Sequence, residues 1–240
     1  MMKGIPSTKY VIPAFLLTYL NIAIANSVAD PFAQSVPEIE PLPGMEAQWI
    51  GRKMAINGVP TSMRAFVSDA SADQVLDAYQ DRWKVRGLGQ IARSEFDGAR
   101  SVGMEYRGHY YSVQAYDVGG GSEGVLTVSV APADAVADFS TQFPLPLGSH
   151  VEQKIEAIDS GKRMETLVVT SEQTVASLAS YIDASLRREH WVAQNFSDAD
   201  TSGQRVLNFQ RGSELSQITI IERPPAYPDK TMMTIHWVKN

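Results

Sequence analysis

Histidines are the first residues to consider for acid–base or metal chemistry, because the imidazole titrates near neutral pH and ligates metals. The chain has four of them: His109, His150, His190 and His236. They form neither a His-x-His nor a His-Glu-x-x-His spacing. His109 is expected to begin a strand, and His190 follows a predicted helix end, where the helix dipole favours a histidine. We interpret all four as ordinary surface or strand residues and assign no catalytic or metal-binding role.

Motifs for nucleophilic catalysis and phosphate binding give no support for an enzyme. The sequence contains no Ser-x-x-Lys and no Walker-type glycine-rich loop, and its Gly-x-Ser-x-Gly match, Gly120–Gly124, is predicted to join two strands, whereas a nucleophile elbow joins a strand to a helix. Gly119–Ser122 is rich in glycine, but Asp117 and Glu123 flank it and would repel a phosphate, and it is predicted to join two strands. We predict that it is a hairpin connector and that the protein needs no cofactor.

One acidic segment resembles the start of a calcium-binding loop. Asp198–Gly203 places oxygen ligands at its first, third and fifth positions and glycine at the sixth. The twelfth position is Phe209 instead of the glutamate that binds calcium through both oxygens, and a predicted strand precedes the loop instead of a helix. We therefore predict a polar turn here and no metal site.

A cluster of tyrosines is the best candidate for a binding surface. Alternation in the predicted strand places Tyr110 and Tyr116 on one face and Tyr111 on the other, and Tyr106 lies in the preceding strand. If they lie opposite the helix, Tyr106, Tyr110 and Tyr116 provide an interaction surface for a partner. The alternative is that they pack across neighbouring strands.

Composition and the N-terminus indicate an exported, soluble protein. The chain has 240 residues, no cysteine and a net charge of −6, which argues against nucleic acid as a partner. Residues 1–29 read as a signal peptide, with Lys3 and Lys9 before the apolar stretch Val11–Ala25. That stretch would span roughly 23 Å as a helix, less than the roughly 30 Å of a bilayer core. We expect cleavage, a periplasmic or secreted bacterial protein, and no stable membrane insertion.

Two segments with the same order of elements follow the signal peptide. In the first, Asn57-Gly58 predicts a hairpin between two strands, and Ser71–Gln74 fits a capping box at the start of a helix. In the second, Thr170–Gln173 fits the same box. The predicted strands of the first segment are Ala47–Ile56, Thr61–Ser68, Gln90–Glu95, Ser101–Arg107, His109–Asp117 and Gly124–Ala131. Those of the second are Val151–Ile158, Lys162–Val169, His190–Phe196, Gln204–Gln210, Ser216–Glu222 and Thr231–Lys239.

The fold predicted from this pattern is α+β, a tandem repeat of a β-β-α-β-β-β-β unit. Each unit is expected to be an antiparallel sheet with one helix packed on it. In the helix of the first unit the apolar face would comprise Val75, Leu76, Tyr79 and Trp83, and in the helix of the second unit it would comprise Val175, Leu178, Ile182 and Leu186. The predicted domains are a signal peptide (1–29), a proline-rich leader (30–45), a first repeat (46–131), a linker (132–148) and a second repeat (149–239).

Three functions are compatible with this sequence. The first is a non-enzymatic envelope protein that acts as a protein–protein interaction or assembly module, with another envelope protein or a second copy as its partner. The second is a periplasmic carrier of a small molecule or lipid, held in a cavity between helix and sheet. The third is a hydrolase whose site residues are dispersed along the chain. The missing motifs favour the first.

Overall fold

Strands dominate the secondary structure of the protein. The structure is a computed structural model, and it describes residues 30–96, 98–131, 138–159, 161–197 and 203–239. Two helices are present, α1 (Ala72–Val85) and α2 (Val175–Arg188). The strands are β1 (Glu46–Ile56), β2 (Val59–Ser68), β3 (Ile91–Phe96), β4 (Ala99–Tyr106), β5 (His109–Val118), β6 (Gly121–Val130), β7 (His150–Asp159), β8 (Lys162–Ser171), β9 (Val192–Ser197), β10 (Gln204–Arg211), β11 (Glu214–Glu222) and β12 (Thr231–Lys239).

The twelve strands form one antiparallel sheet. Its order is β3-β4-β5-β6-β2-β1-β7-β8-β12-β11-β10-β9. The α+β class predicted from the sequence is therefore confirmed, and the fold is dominated by sheet. The prediction of a separate sheet for each unit was wrong, because β1 pairs with β7 and joins the strands into one sheet. The strand boundaries agree within two residues except that β6 begins at Gly121 instead of Gly124. Within the described part of the chain, neither helix has the length and apolar character needed to cross a membrane.

The hairpin that begins the sheet has the turn that its sequence predicts. Asn57 and Gly58 both have positive φ angles, of 52° and 82°. A two-residue turn of this kind matches the right-handed twist of the strands it joins, and asparagine and glycine tolerate that backbone conformation best. The turn sets the register in which Ile56 pairs with Val59.

The start and the buried face of α1 confirm the sequence prediction. The Ser71 side chain accepts a hydrogen bond from the Gln74 amide, and the Gln74 side chain accepts one from the Ser71 amide, which completes the capping box. The buried face packs on β4, β5 and β6, and it comprises Ala72, Val75, Leu76, Tyr79 and Trp83. The helix ends at Val85, just before Gly87, which has a φ of 63°.

The predicted start of α2 was wrong. Thr170 and Ser171 belong to β8, and the N-cap is Thr174, whose hydroxyl accepts a hydrogen bond from the Ser177 amide at 3.3 Å. The Thr170 hydroxyl instead donates to Glu152 at 2.6 Å. Three hydroxyl residues stand close together here, and strand pairing with β12 determines which of them caps the helix. The apolar stripe was predicted correctly: Leu178, Ile182 and Leu186 are buried and Val175 is half-buried.

Both helices cover the same face of the sheet. Side chains alternate along β2, so Pro60 shares the α1 face with Phe66. Residues paired across neighbouring strands lie on the same face of the sheet. This face can therefore be followed from Pro60 through its partner Ala55 to Glu156, and from Glu156 to its partner Glu165. Glu165 shares its face with Leu167, which lies in the core beneath α2. Neither of the two described helices lies on the opposite face. We call these the helix face and the open face.

A segment without helix or strand structure fastens each helix to the sheet. The first strap, residues 36–45, buries Ile39 against α1 and accepts a hydrogen bond from the Tyr79 hydroxyl at its Glu40 carbonyl, at 3.1 Å. The second strap, residues 138–149, buries Phe143 beneath α2, and its Leu145 carbonyl accepts from the Tyr181 hydroxyl at 3.2 Å. Residues predicted to be leader and linker thus contribute to the two cores.

Candidate functional site

The two halves of the sheet meet at a short seam. β1 and β7 pair only through three positions, Met54 with Ala157, Ala55 with Glu156, and Ile56 with Ile155. Both strands are much longer than this contact. The seam therefore leaves a stretch of each strand to be closed in some other way.

The β7 side of the seam is closed by the turn of the first hairpin. The Asn57 amide donates to the Lys154 carbonyl at 2.7 Å, and the Asn57 side-chain oxygen accepts from the Lys154 amide at 2.9 Å. The Asn57 carbonyl accepts from the Asp138 amide at 2.8 Å. The asparagine thus continues the hydrogen-bond ladder where β1 has ended.

Buried charges reinforce the same side. The Lys154 side chain is 6% exposed, and its ammonium group lies 3.2 Å from Asp138 and 3.1 Å from Glu156. Glu156 also pairs with Arg163 at 2.7 Å. Burial acts to raise the pKa of Asp138, but hydrogen bonds from Ser140 and Lys154, together with the lysine charge, outweigh it and lower that pKa. Each charge of the cluster has a partner, and the pair between Asp138 and Lys154 holds the beginning of the second strap against β7.

The β1 side of the seam is open. No described strand pairs with β1 between Glu46 and Lys53 on the side away from β2. β1 has irregular pairing between Trp49 and Gly51 and again between Gly51 and Met54, as expected of β-bulges. In the antiparallel register of the seam, β7 ends at Asp159, two residues beyond its last paired position Ala157, so most of this part of β1 extends past the end of β7. An open cavity of about 390 Å³ lies over this part of β1 and the neighbouring part of β2, lined by Glu46, Ala47, Gln48, Trp49, Ile50, Ala65, Phe66 and Val67.

The backbone groups that face this opening follow from the regular pairing of β2. Val59 closes a two-residue hairpin with Ile56, and β2 pairs with β6 without irregularity from Thr61 to Ser68. Backbone groups alternate in direction along a strand, so Ala65 and Val67 direct theirs toward β1. Their partners Gln48 and Glu46 are therefore satisfied by β2, whereas Ala47 and Trp49 direct their backbone groups toward the opening.

Charged and aromatic side chains surround the opening on the helix face. The Arg64 guanidinium stacks over the Trp49 ring at 3.8 Å, and that of Arg52 lies 4.7 Å from the ring. Glu38 of the first strap pairs with Arg64 at 2.7 Å and with Arg52 at 3.7 Å. Trp49 is thereby held in one orientation. The Arg52 side chain is 63% exposed, so its guanidinium can also contact a bound partner.

The spaces between helices and sheet are filled with side chains. Under α2 the central residues Leu178, Ile182 and Leu207 are at most 1% exposed. Under α1 the same holds for Leu76, Tyr79 and Val113. The carrier hypothesis requires a ligand cavity at these interfaces, and the cavity along β1 lies elsewhere.

The three tyrosines predicted to bind a partner do not share one face. Tyr106 packs on the α1 side with Tyr111, whereas Tyr110 and Tyr116 lie on the open face. Tyr110 lies across Gly103, so its hydroxyl occupies the space that a Cβ on that glycine would need. Burial and a hydrogen bond with Glu123 on the paired strand raise the pKa of Tyr116 to about 12. These contacts are of the cross-strand kind, and a binding role for the tyrosines stays a prediction.

The histidines lie apart from one another in the sheet. A ring nitrogen of His109 lies 3.0 Å from the Arg107 carbonyl, and one of His236 lies 3.0 Å from the Thr166 hydroxyl. Burial lowers the pKa of His236. His150 begins β7, and His190 follows α2 with a φ of 65°. A search of the described ranges finds no group of three or more His, Cys, Asp or Glu residues that could hold a metal ion.

Two predicted features lie outside the described residues. They are the signal peptide at residues 1–29 and the acidic segment Asp198–Gly203, of which the structure describes only Gly203. The predictions for both therefore remain predictions.

The free edge of β1 was not recognised from the sequence. The one local signal was Gly51, because an isolated glycine within a strand pattern indicates a bulge. The cause of the opening, the limited pairing with β7, depends on residues about a hundred positions away and leaves no mark near Glu46. No protein-family model, curated protein or solved structure matches this chain.

Proposed function

We propose that this protein is an interaction module that binds an extended segment of another protein along the free edge of β1. One observation carries the proposal: on the side away from β2, no described strand pairs with β1 between Glu46 and Lys53, and residues 46–50 line an open cavity of about 390 Å³. A sheet edge with unpaired backbone groups is a template for a further strand. Strand addition of this kind is a common mode of peptide recognition.

The edge supplies both parts of such recognition. The backbone groups of Ala47 and Trp49 provide hydrogen bonds that do not depend on the partner's sequence. Trp49, Ile50 and the 40% exposed Val67 provide apolar contacts for its side chains. The remaining length of β1 is short, so the affinity expected from the edge alone is modest, as in transient assemblies.

The cellular setting is part of the proposal. The N-terminal pattern supports an exported protein of the bacterial envelope, and the missing catalytic motifs support a non-enzymatic role. Its partner would be another envelope protein or a second copy of this chain. An exported segment in extended conformation is the kind of ligand that strand addition accepts.

We also propose that the chain contains one structural unit twice. Counted from its own first strand, each half has the spatial order 1-2-6-5-4-3 and one helix between its second and third strands. Both halves also have a strap that accepts a hydrogen bond from a helix tyrosine. A shared origin explains why the seam joins the first strand of one half to the first strand of the other.

The proposal is tested with a photo-crosslinker at the edge. Benzoylphenylalanine in place of Gln48 is expected to give discrete crosslinks to a partner in the native envelope. The same residue in place of Gln217, also exposed and far from β1, serves as the control. Ala47→Pro removes a backbone donor at the opening without touching a β1–β2 hydrogen bond, so it should abolish the Gln48 crosslinks and leave the fold intact.

Crosslinks that survive Ala47→Pro would contradict strand addition, and so would an absence of crosslinks specific to position 48. The fold of the variant is checked by circular dichroism and by its denaturant midpoint. Gln48→Pro, which breaks the ladder with β2, is the matched variant that should lower that midpoint.

A further inference from the structure

The free edge of β1 carries opposite charges at its two ends. Glu46 is exposed at the beginning of the strand, and Arg52 and Lys53 are exposed at the other end. Arg52 lies 3.7 Å from Glu38, and Glu38 makes its closer contact with Arg64. The edge therefore presents a net positive end and a negative end to any strand that approaches it.

These charges and the bulges have a selective effect. Exposed cations and irregular pairing are devices by which sheet edges discourage other strands. A strand with complementary charges binds this edge more tightly than an uncharged or like-charged strand does, so the same charged groups discriminate between partners. The charges would thereby decide which segments can use the backbone groups of Ala47 and Trp49.

The direction of the partner follows from the sheet. All of its neighbouring strands are antiparallel, and antiparallel pairing is slightly more stable per residue than parallel pairing. An antiparallel segment would place its N-terminal end beside Arg52 and Lys53 and its C-terminal end beside Glu46. Its middle would lie beside Trp49 and Ile50, where the cavity is lined by apolar side chains.

We infer that the partner is an extended segment whose acidic residues precede a run of apolar residues, and that it pairs antiparallel with β1 from Glu46 to Ile50, with its acidic end directed toward Arg52 and Lys53. This inference rests on the proposed function, and it adds the order of charges and the strand direction. The acidic end is recognised by Arg52 and Lys53, and the apolar run is recognised by the cavity beside Trp49.

Two peptides of identical composition test the inference. The forward peptide is acetyl-Asp-Glu-Val-Thr-Val-Thr-Val-Lys-amide, and the other is its exact reversal, so the two have the same composition and net charge and opposite orders of charge along the strand. Calorimetric titration of the full chain at low salt should show binding of the forward peptide about tenfold tighter than that of the reversed peptide. Because exposed charges are screened, the ratio should shrink at high salt.

Charge reversal at the edge provides the decisive variant. Arg52→Glu combined with Lys53→Glu should invert the preference, so that the reversed peptide binds more tightly than the forward one. Lys84→Glu combined with Arg86→Glu changes the net charge by the same amount at the far end of α1 and should leave the preference unchanged. Misfolding would weaken the binding of both peptides, so it would not invert the preference between them.

The remaining outcomes separate the inference from the proposed function. Equal affinities for both peptides, lost in Ala47→Pro, would overturn the charge order and retain strand addition. Failure of both peptides to bind, together with no crosslinks at position 48, would overturn both. Concentration-dependent association in sedimentation, abolished by Ala47→Pro, would identify a second copy as the occupant and overturn the inferred partner.

Discussion

The two halves of the molecule share an arrangement of elements but fill and close it differently. In the first half, the helix supplies two of the large aromatic residues of the core, Tyr79 and Trp83, and β2 supplies Phe66. In the second half they come from the strap, the strands and the segment after the helix, as Phe143, Phe209, Trp237 and Trp191, and the Trp237 ring contacts those of Phe143 and Trp191 edge to face. The same sheet and helix positions thus accept two different distributions of volume, provided that each core is filled.

The seam shows the more consequential difference. On the β7 side, Asn57 forms backbone hydrogen bonds with Lys154 beyond the three paired positions, and the buried Lys154 ammonium group pairs with Asp138 and Glu156. On the β1 side, the strand extends past the end of β7, which leaves backbone groups at an opening. A closed side serves stability and an open side is available for binding, so substitutions on the two sides should have different effects.

The largest effect is expected from Lys154→Ala on the closed side. The substitution leaves Asp138 and Glu156 without their shared cation at a buried position, and breaking a buried ion pair costs about 3–5 kcal/mol. The free energy of unfolding is measured by denaturant titration. Lys53→Ala, on the open side and exposed, is the matched control and should change it by less than about 0.5 kcal/mol. Equal effects of the two substitutions would remove the distinction between the sides.

Next in size are the helix caps, which compare the two halves directly. Ser71→Ala and Thr174→Ala each remove an N-cap hydrogen bond and should lower the free energy of unfolding by about 1 kcal/mol. Gln74→Ala should lower the free energy of unfolding by a few tenths of a kcal/mol, because it removes the second hydrogen bond of the capping box, in which the Gln74 side chain accepts from the Ser71 amide. The first half therefore has a further contribution to its helix start beyond the N-cap hydrogen bond that both halves share. Thermal melts of the three variants give the comparison, and a negligible effect of Thr174→Ala would contradict the assigned cap.

A smaller effect distinguishes the two strap tyrosines. Tyr79→Phe removes a hydroxyl from a fully buried side chain and leaves the Glu40 carbonyl with one donor fewer, at a cost of about 1 kcal/mol. Tyr181→Phe removes the corresponding hydrogen bond to Leu145, but this side chain is 37% exposed and water can replace it. We expect a change near zero for Tyr181→Phe in the same denaturant titration. A larger loss there than at Tyr79 would show that burial does not decide the difference.

The smallest effect is a pH dependence from Asp138. Its pKa is lowered in the folded protein, so the carboxylate stabilises the fold above the pKa of the unfolded chain, about 3.9. That contribution is lost as the pH falls through the lower, folded value. Asp138→Asn should therefore flatten the decline in unfolding free energy below about pH 4. Identical pH profiles for the variant and the unmodified protein would show that the carboxylate contributes nothing.

Prediction from the sequence succeeded where local signals decide the structure. Asn57-Gly58 predicted the first hairpin, and the box at Ser71 predicted the start of α1, because each contains its own hydrogen-bonding partners within a few residues. The second box failed because Thr170, Ser171 and Thr174 are all able to cap a helix. Pairing with β12 extends β8 through the first two, and only a contact between distant parts of the chain could decide that.

The candidate site was beyond sequence prediction for the same reason. The tyrosines were predicted to form a binding surface because several lie close together in the sequence. Alternation alone could not show that Tyr106 faces the core while Tyr110 covers Gly103. The edge of β1 carries ordinary strand residues. Its exposure follows from a partner strand that pairs over three positions only, which is a property of β7 and the bulges.

By itself the sequence determined the number and order of the elements, since period, turn residues and caps act over short distances. It also determined which helix faces are apolar. The tertiary structure alone decided that both halves join in one sheet, that both helices lie on the same face, and that the seam closes on one side. Those outcomes depend on long-range strand pairing and on buried charges such as Lys154, whose partners come from distant segments. The free edge of β1 is the consequence of that pairing on which the proposed function depends.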